Sequence, residues 1–400
     1  MTSFLLRRLR CSLFFAAGGI GIGAWAASLP LVSQAMSLDK GQLGMILLCF
    51  ALGAIVLMVS IGRLLDRMAN PTVLSFFGST VFGLSLAVVP VVDGAIALGV
   101  AVFVAGAGFG ALDVSMNTEA SAVEIASRRH LMSSFHALFS IGNILGAFLV
   151  GGIVQYGGGV VECLGAAGAL VVAASLGGRL VSSAVKAPPA GERPAARPAT
   201  PSAFTRSQKI LIAVLGTIAF FALLAEGGML DWISVYMVGT LGASESVGAY
   251  AFAVFAAAMA VGRLLGDAVT RRIGHVNILK AGGLACAASI TALLATDNVG
   301  LTLVALAFCG FGVSNMVPAV FASAGIVGGH SAGRAMSVVT TMGYSGLLLG
   351  PALLGFIAQA TSLSVSFGVI SLAFLLIVSG AFAFGTLLRS HGARAGEQPA

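Results

Sequence analysis

An ionised side chain placed at the middle of a bilayer costs about 2.5–3.5 kcal/mol, so each one retained inside a long apolar run is a candidate for chemistry. In this sequence Asp113 stands deep in such a run, within Leu112-Asp113-Val114-Ser115-Met116-Asn117. A carboxyl there can take up and release a proton, and Asn117, one helical turn later, can hydrogen-bond it or a polar solute. Glu226 and Asp231 share the segment Glu226-Gly227-Gly228-Met229-Leu230-Asp231-Trp232. Five residues advance a helix by about 7.5 Å and turn it by roughly 140°, so the two acids cannot share a narrow face, and one can face a cavity while the other pairs with a neighbour. Trp232 and Tyr236 are spaced i and i+4, an aromatic ledge suited to stacking on a sugar or cyclitol ring, or else an interfacial anchor. His136 titrates nearest neutral pH and can relay a proton or bind a solute. Trp25 and Asn143 are further candidates for solute contact. For Asp113 the structural alternative is a permanent partner of Asn or Ser that only fixes helix packing.

The elements that must hold these residues follow from composition. Of 400 residues 58% are hydrophobic and 9% charged, against roughly 25% charged in a soluble domain. A soluble globular protein is excluded, and a polytopic all-α membrane protein is expected. Breaks in hydropathy give twelve spans, near 10–33, 41–64, 71–91, 95–122, 132–155, 159–181, 208–239, 246–266, 275–295, 299–324, 333–360 and 363–388. These are helices 1 to 12 below. All 21 Lys and Arg except Lys40 fall on the side of both termini or at helix ends facing it, whereas the opposite loops carry Asp39, Asp93, Glu245 and Asp297. The asymmetry predicts that both termini lie in the cytoplasm, and the net charge of +7 then reflects loop topology rather than a nucleic-acid partner. Arg7, Arg8 and Arg10 with Ala24-Trp25-Ala26 imitate a signal peptide, but the apolar run continues to Val32, and the segment is read as a retained first span. The five cysteines are dispersed without a CxxC pair and read as packing residues, with no metal site expected.

The stretch from Ser182 to Lys209 is rich in Pro, Ala and Arg, a composition that cannot build a packed core. It divides the chain into a six-helix bundle at 1–182, a cytoplasmic linker at 183–207, a second six-helix bundle at 208–390 and a tail at 391–400. The halves repeat. Gly62-Arg63-Leu64-Leu65 returns as Gly262-Arg263-Leu264-Leu265, Gly108-Phe109-Gly110 as Gly310-Phe311-Gly312, and Met132-Ser133 as Met336-Ser337, at offsets of 200, 202 and 204. Three matches in one order at equivalent span positions point to duplication. Asn315 falls where the first half has Asp113, so the acid is present on one side only.

Gly62-Arg63-Leu64-Leu65-Asp66-Arg67, with its looser copy Gly262-Arg263-Leu264-Leu265-Gly266-Asp267, resembles the loop signature of the major facilitator superfamily, as does the twelve-helix plan. The element Asp113-x-x-x-Asn117 is similar to that of the fucose/proton symporter branch. Ser134-Phe135-His136 and Glu226 to Trp232 with Tyr236 resemble a bacterial inner-membrane group in it, the YbjJ-type and rhizopine-related transport proteins. The resemblance implies two pseudo-symmetric bundles, a small polar substrate moved by alternating access, and coupling to protons through Asp113 and Glu226. It implies substrate contacts at Asn117, His136, Trp25, Asn143, Asp231, Trp232, Tyr236 and Asn315. It also implies a gating latch in which Arg63, Asp66 and Arg67, with Glu124, Arg263 and Asp267, set the inward/outward balance. Two departures are visible. Met68-Ala69-Asn70-Pro71 replaces the usual basic continuation of the first loop, and helix 1 has no acid where the sugar symporters carry one.

No Gly-x-x-x-x-Gly-Lys phosphate cradle exists, so neither ATP nor another cofactor is expected to drive the protein. The remaining readings are a proton-coupled importer of a sugar or cyclitol-like solute, a proton-coupled exporter of a drug or metabolite, a receptor that kept the fold, and an enzyme. Helix 5 reads Gly146-Ala147-Phe148-Leu149-Val150-Gly151-Gly152, without the Gly-Pro-x-x-Gly-Gly run common in exporters of the superfamily. Intramembrane polar groups argue against the receptor, and no nucleophile, base and metal set can be assembled for an enzyme. A monomer bound to its solute, protons and the bilayer, with no nucleic acid, is the expected state.

Overall fold

The computed structural model describes residues 2–65, 71–127, 131–183 and 204–396. Within them 12 helices are long and apolar enough to cross a membrane. They are α1 (Phe4–Ala27), α2 (Lys40–Ser60), α3 (Pro71–Val91), α4 (Ala95–Glu124), α5 (Ser134–Gln155), α6 (Val160–Val181), α7 (Arg206–Gly239), α8 (Glu245–Gly266), α9 (Ala268–Leu294), α10 (Val299–Gly328), α11 (Arg334–Ala360) and α12 (Leu363–Arg389). Helices are the expected solution, since a bilayer offers backbone groups no water to bond and each span must satisfy its own.

Two spans start earlier than the sequence reading expects, the first by six residues and α9 by seven. Helical backbone begins at Thr2, takes in Arg7, Arg8 and Arg10, and ends at Ala27, after which Pro30 opens a short helix at Leu29–Ala35. The arginines lie in the first turns, where long side chains can reach water or a buried acid. Elsewhere α8 and α9 are continuous helix over Glu245–Leu294 except at Gly274, whose φ of 78° is open only to a residue without Cβ. The helix of α10 is interrupted after Val313 and restarts at Met316.

The chain divides into two compact units, one of Met1–Pro188, Leu230–Ala257 and Gly355–Thr361, the other of Pro189–Met229, Ala258–Leu354 and Ser362–Ala400. In the first, α1 crosses α5 so tightly that a Cβ on Gly23 would lie 2.0 Å from the Asn143 carbonyl oxygen and one on Gly146 2.3 Å from that of Ile20. Small residues permit such backbone approach, which is the main source of cohesion where lipid removes the hydrophobic drive between helices. Ser75 and Ser115 hydroxyls (2.9 Å) join α3 to α4, and Ser79 and Ser175 (2.7 Å) join α3 to α6. Ala24, Ala147, Val150, Cys163, Ala249 and Phe252 form one of its cores, with the far half of α8 included.

The second unit repeats the crossings. A Cβ on Gly346 of α11 would lie 2.1 Å from the Phe220 carbonyl oxygen of α7, the counterpart of the α1–α5 contact. Gly78 of α3 meets Gly108 of α4, and Gly282 of α9 meets Gly312 of α10, an offset of 204 that differs by two residues from the 202 of the Gly-Phe-Gly match. Duplication read from three short matches thus recurs in the packing. All five cysteines are free, and among the described residues no His/Cys/Asp/Glu group could hold a metal ion.

Candidate functional site

In the first unit Phe109 and Asp113 are one turn apart on α4, and Phe139 and Asn143 one turn apart on α5. Phe109 contacts Phe139 at 6.3 Å between centroids. The cluster continues through Phe50 of α2, 6.0 Å from Phe109, to Trp25 of α1, which stacks on Phe50 at 6.0 Å with the rings 12° apart. Phe82 of α3 closes it from behind, 5.5 Å from Phe109 and fully buried. Five helices therefore assemble an aromatic wall, with a carboxyl one turn from it on α4 and an amide one turn from it on α5.

Asp113 is half-buried, and its carboxylate accepts from Asn117 Nδ2 at 3.3 Å while the same amide nitrogen donates to the Asp113 carbonyl at 2.8 Å. Among the described residues Asp113 has no cationic partner. Asn143 is buried, and its Oδ1 has no hydrogen-bond partner. Trp232 is 1% exposed with Nε1 likewise unpartnered, and Tyr236 is buried one turn on. Burial of both rings removes the interfacial-anchor alternative for this pair. A buried donor or acceptor left unpaired costs about 1–3 kcal/mol, so a solute that supplied the partners would recover that cost. Asp231 is half-buried beside Trp232. His136 is exposed and sits edge-on to the Phe15 ring at 5.3 Å.

The second unit treats its acid differently. Glu226 of α7 is buried and accepts from Arg263 Nη2 of α8 at 2.7 Å. Arg263 Nε also approaches the Ser314 carbonyl, 3.4 Å away at the break in α10. Asn315 donates to the Gly262 carbonyl at 2.7 Å and to Ser314 Oγ at 2.9 Å, and its Oδ1 fills the space a Cβ on Gly266 would need.

The sequence profile of the Major Facilitator Superfamily matches residues 9–351. The chain belongs to the major facilitator superfamily. An uncharacterized transporter of the same superfamily from Yersinia pestis is 35% identical over 370 residues, 92% of this chain and 93% of the relative. Among solved structures the nucleoside transporter NupG superposes with a TM-score of 0.75 at 12% identity, covering 95% of this chain and 99% of that one. The fucose:proton symporter FucP of E. coli superposes at 0.60 with 19% identity, covering 96% and 99%. These likenesses establish the fold and place the chain among transporters rather than enzymes.

Within this major facilitator fold several residues stand elsewhere than the sequence suggested. Arg263, expected in a gating latch, is the ion-pair partner of Glu226, expected as a proton-coupling acid. Asn315, expected at the substrate, uses its amide nitrogen to bond across to Gly262 of α8 and to its own neighbour Ser314. Glu124 caps the start of the next helix, accepting from the Leu131 and Met132 N–H groups at 2.6 and 2.8 Å. Asp66 and Arg67, and the side chains of Arg63 and Asp267, lie outside the described residues.

Sequence reasoning missed two features. One is the buried pair of Glu119 with Arg10, which Thr72 joins through a 3.3 Å hydrogen bond to the same carboxylate. The other is the set of Phe50, Phe82, Phe109 and Phe139. A signal existed for two of these, since Phe109 precedes Asp113 by one turn and Phe139 lies between His136 and Asn143.

A cavity of about 750 Å³ lies at the other ends of α2, α4 and α11, lined by Asp39, Met45, Ile96, Phe103, Phe356 and Gln359 among others. It contains none of the candidate site residues, and its walls are mostly apolar.

Proposed function

We propose that this chain is a secondary active transporter that moves a small polar solute, sugar- or cyclitol-like, across the inner membrane by alternating access and proton symport. It resembles the fucose/proton symporter branch of the superfamily. The observation that carries the reading is Asp113, an intramembrane carboxyl with an amide as its partner and an aromatic wall one turn away. Asp113 takes up the proton. The faces of Trp25, Phe109 and Phe139 meet the C–H face of the solute, and Asn143 and Trp232 complete their hydrogen bonds to its hydroxyls. The similarity to FucP supports this reading at the level of the fold.

Both termini and the 183–207 linker are cytoplasmic in this account, supported by the Lys/Arg asymmetry of the loops. The 1–182 and 208–390 halves are the moving bodies, supported by the repeated crossings. The functional unit is a monomer.

Proteoliposomes of the purified chain, with a pH-sensitive dye outside, test the proposal against a panel of sugars, cyclitols and cationic drugs. Alkalinisation outside on adding a polar solute is the expected result. Acidification outside when a drug or metabolite is added on that same side would establish proton exchange, the chemistry of an exporter, instead.

A further inference from the structure

The seam between α9 and α12 carries cations without acids. Lys280 Nζ lies 3.8 Å from the centroid of the Phe382 ring. On one side of that contact a Cβ on Gly385 would come 3.2 Å from Val276, and on the other a Cβ on Gly283 would come 2.6 Å from Val378. The pairs 276·385, 280·382 and 283·378 define one antiparallel register. Lys280 is six residues past Gly274, about 9 Å along the helix from that break.

Its surroundings are exposed and apolar. Phe382 is 55% exposed, and Leu284 and Leu375 are exposed on the same two helices. Leu375, Phe382 and Arg389 are spaced by seven and share one stripe of α12. Arg389 is exposed one turn beyond Gly385, at the end of the seam where Arg271 and Arg272 are also exposed before Gly274. Neither His275–Leu294 nor Leu363–Arg389 contains an Asp or Glu.

A lysine held among exposed apolar side chains needs a counter-charge that the two helices do not supply, and the bilayer is the medium that covers them. We propose that the α9–α12 cleft binds an anionic phospholipid. The phosphodiester lies between Lys280 and Arg389, and the acyl chains run along Phe382, Leu375 and Leu284 toward the bilayer centre. The ring of Phe382 holds the ammonium in place by a cation–π contact that persists when the lipid is bound.

Native mass spectrometry of the full chain, purified and exposed to equal amounts of phosphatidylglycerol and phosphatidylcholine with identical acyl chains, tests this. The expected result is retention of phosphatidylglycerol about tenfold above phosphatidylcholine, in line with the attraction of two basic residues for an anionic lipid. The preference should fall to near parity in the Lys280→Gln, Arg389→Gln double variant and survive in Lys280→Arg. Equal retention of the two lipids by the wild-type chain, or an unchanged preference in the double variant, would overturn the proposal. Glycerol 3-phosphate serves as the chain-free probe: failure to compete is expected, and effective competition would assign the site to a free phosphate and overturn the lipid.

Discussion

Asp113 and Glu226 are both carboxyls of spanning helices, yet their neighbours differ. Glu226 faces Arg263 at 2.7 Å, so adding a proton to it leaves a guanidinium without its counter-charge. Asp113 meets an amide at 3.3 Å, and adding a proton to it leaves nothing unpaired. An ion pair inside a membrane fixes two helices together, whereas a lone carboxyl can change its charge without dismantling a contact. The first unit therefore has the group suited to taking up a proton and the second has a clasp. Within the first unit the same contrast recurs on α4 itself, where Glu119, six residues past Asp113, is closed by Arg10 and Thr72.

Substitutions that remove each charge in turn separate the two roles. Glu119→Gln removes the carboxylate that faces Arg10, 13% exposed, and should lower stability by about 3 kcal/mol in detergent unfolding. Glu226→Gln should cost less, about 1–2 kcal/mol, because Arg263 is 40% exposed and water compensates part of its charge. Adding Arg263→Gln to that variant should restore part of the loss, since no charge then remains unpaired. A double variant as unstable as the sum of its two single changes would break the clasp description.

Trp232→Phe should leave stability unchanged or raise it by up to about 1 kcal/mol, as the unpartnered Nε1 is removed. If that nitrogen donates to the solute, KM rises about tenfold with little change in the maximal rate. An unaltered KM would move Trp232 from solute contact to packing.

The fold was legible in the sequence because hydropathy and the placement of Lys and Arg act locally and twelve times over. The first span starts earlier than expected because the helix takes in Arg7 and Arg8, which precede the apolar run. Arg10 finds its carboxylate in Glu119, more than a hundred residues away, which no local pattern reveals. Asp113, Asn117, Asn143 and Trp232 stood out as polar or aromatic groups in apolar runs. Phe50 and Phe82 did not, because one more phenylalanine in a chain of 58% hydrophobic residues carries no contrast. Only the crossing of α2, α3 and α4, made close by glycines, brings them to one wall. Arg263 was read from its place in a loop motif, and its partner on α7 lay outside that motif.

The most direct test of the account compares Asp113→Asn with the wild-type chain in proteoliposomes, measuring proton-driven solute accumulation and solute exchange at equal pH on both sides. The account predicts that accumulation is abolished while exchange continues at a similar rate, because the amide keeps the local hydrogen bonds but holds no exchangeable charge. Accumulation at the wild-type level in the variant would contradict it and remove Asp113 from the coupling step.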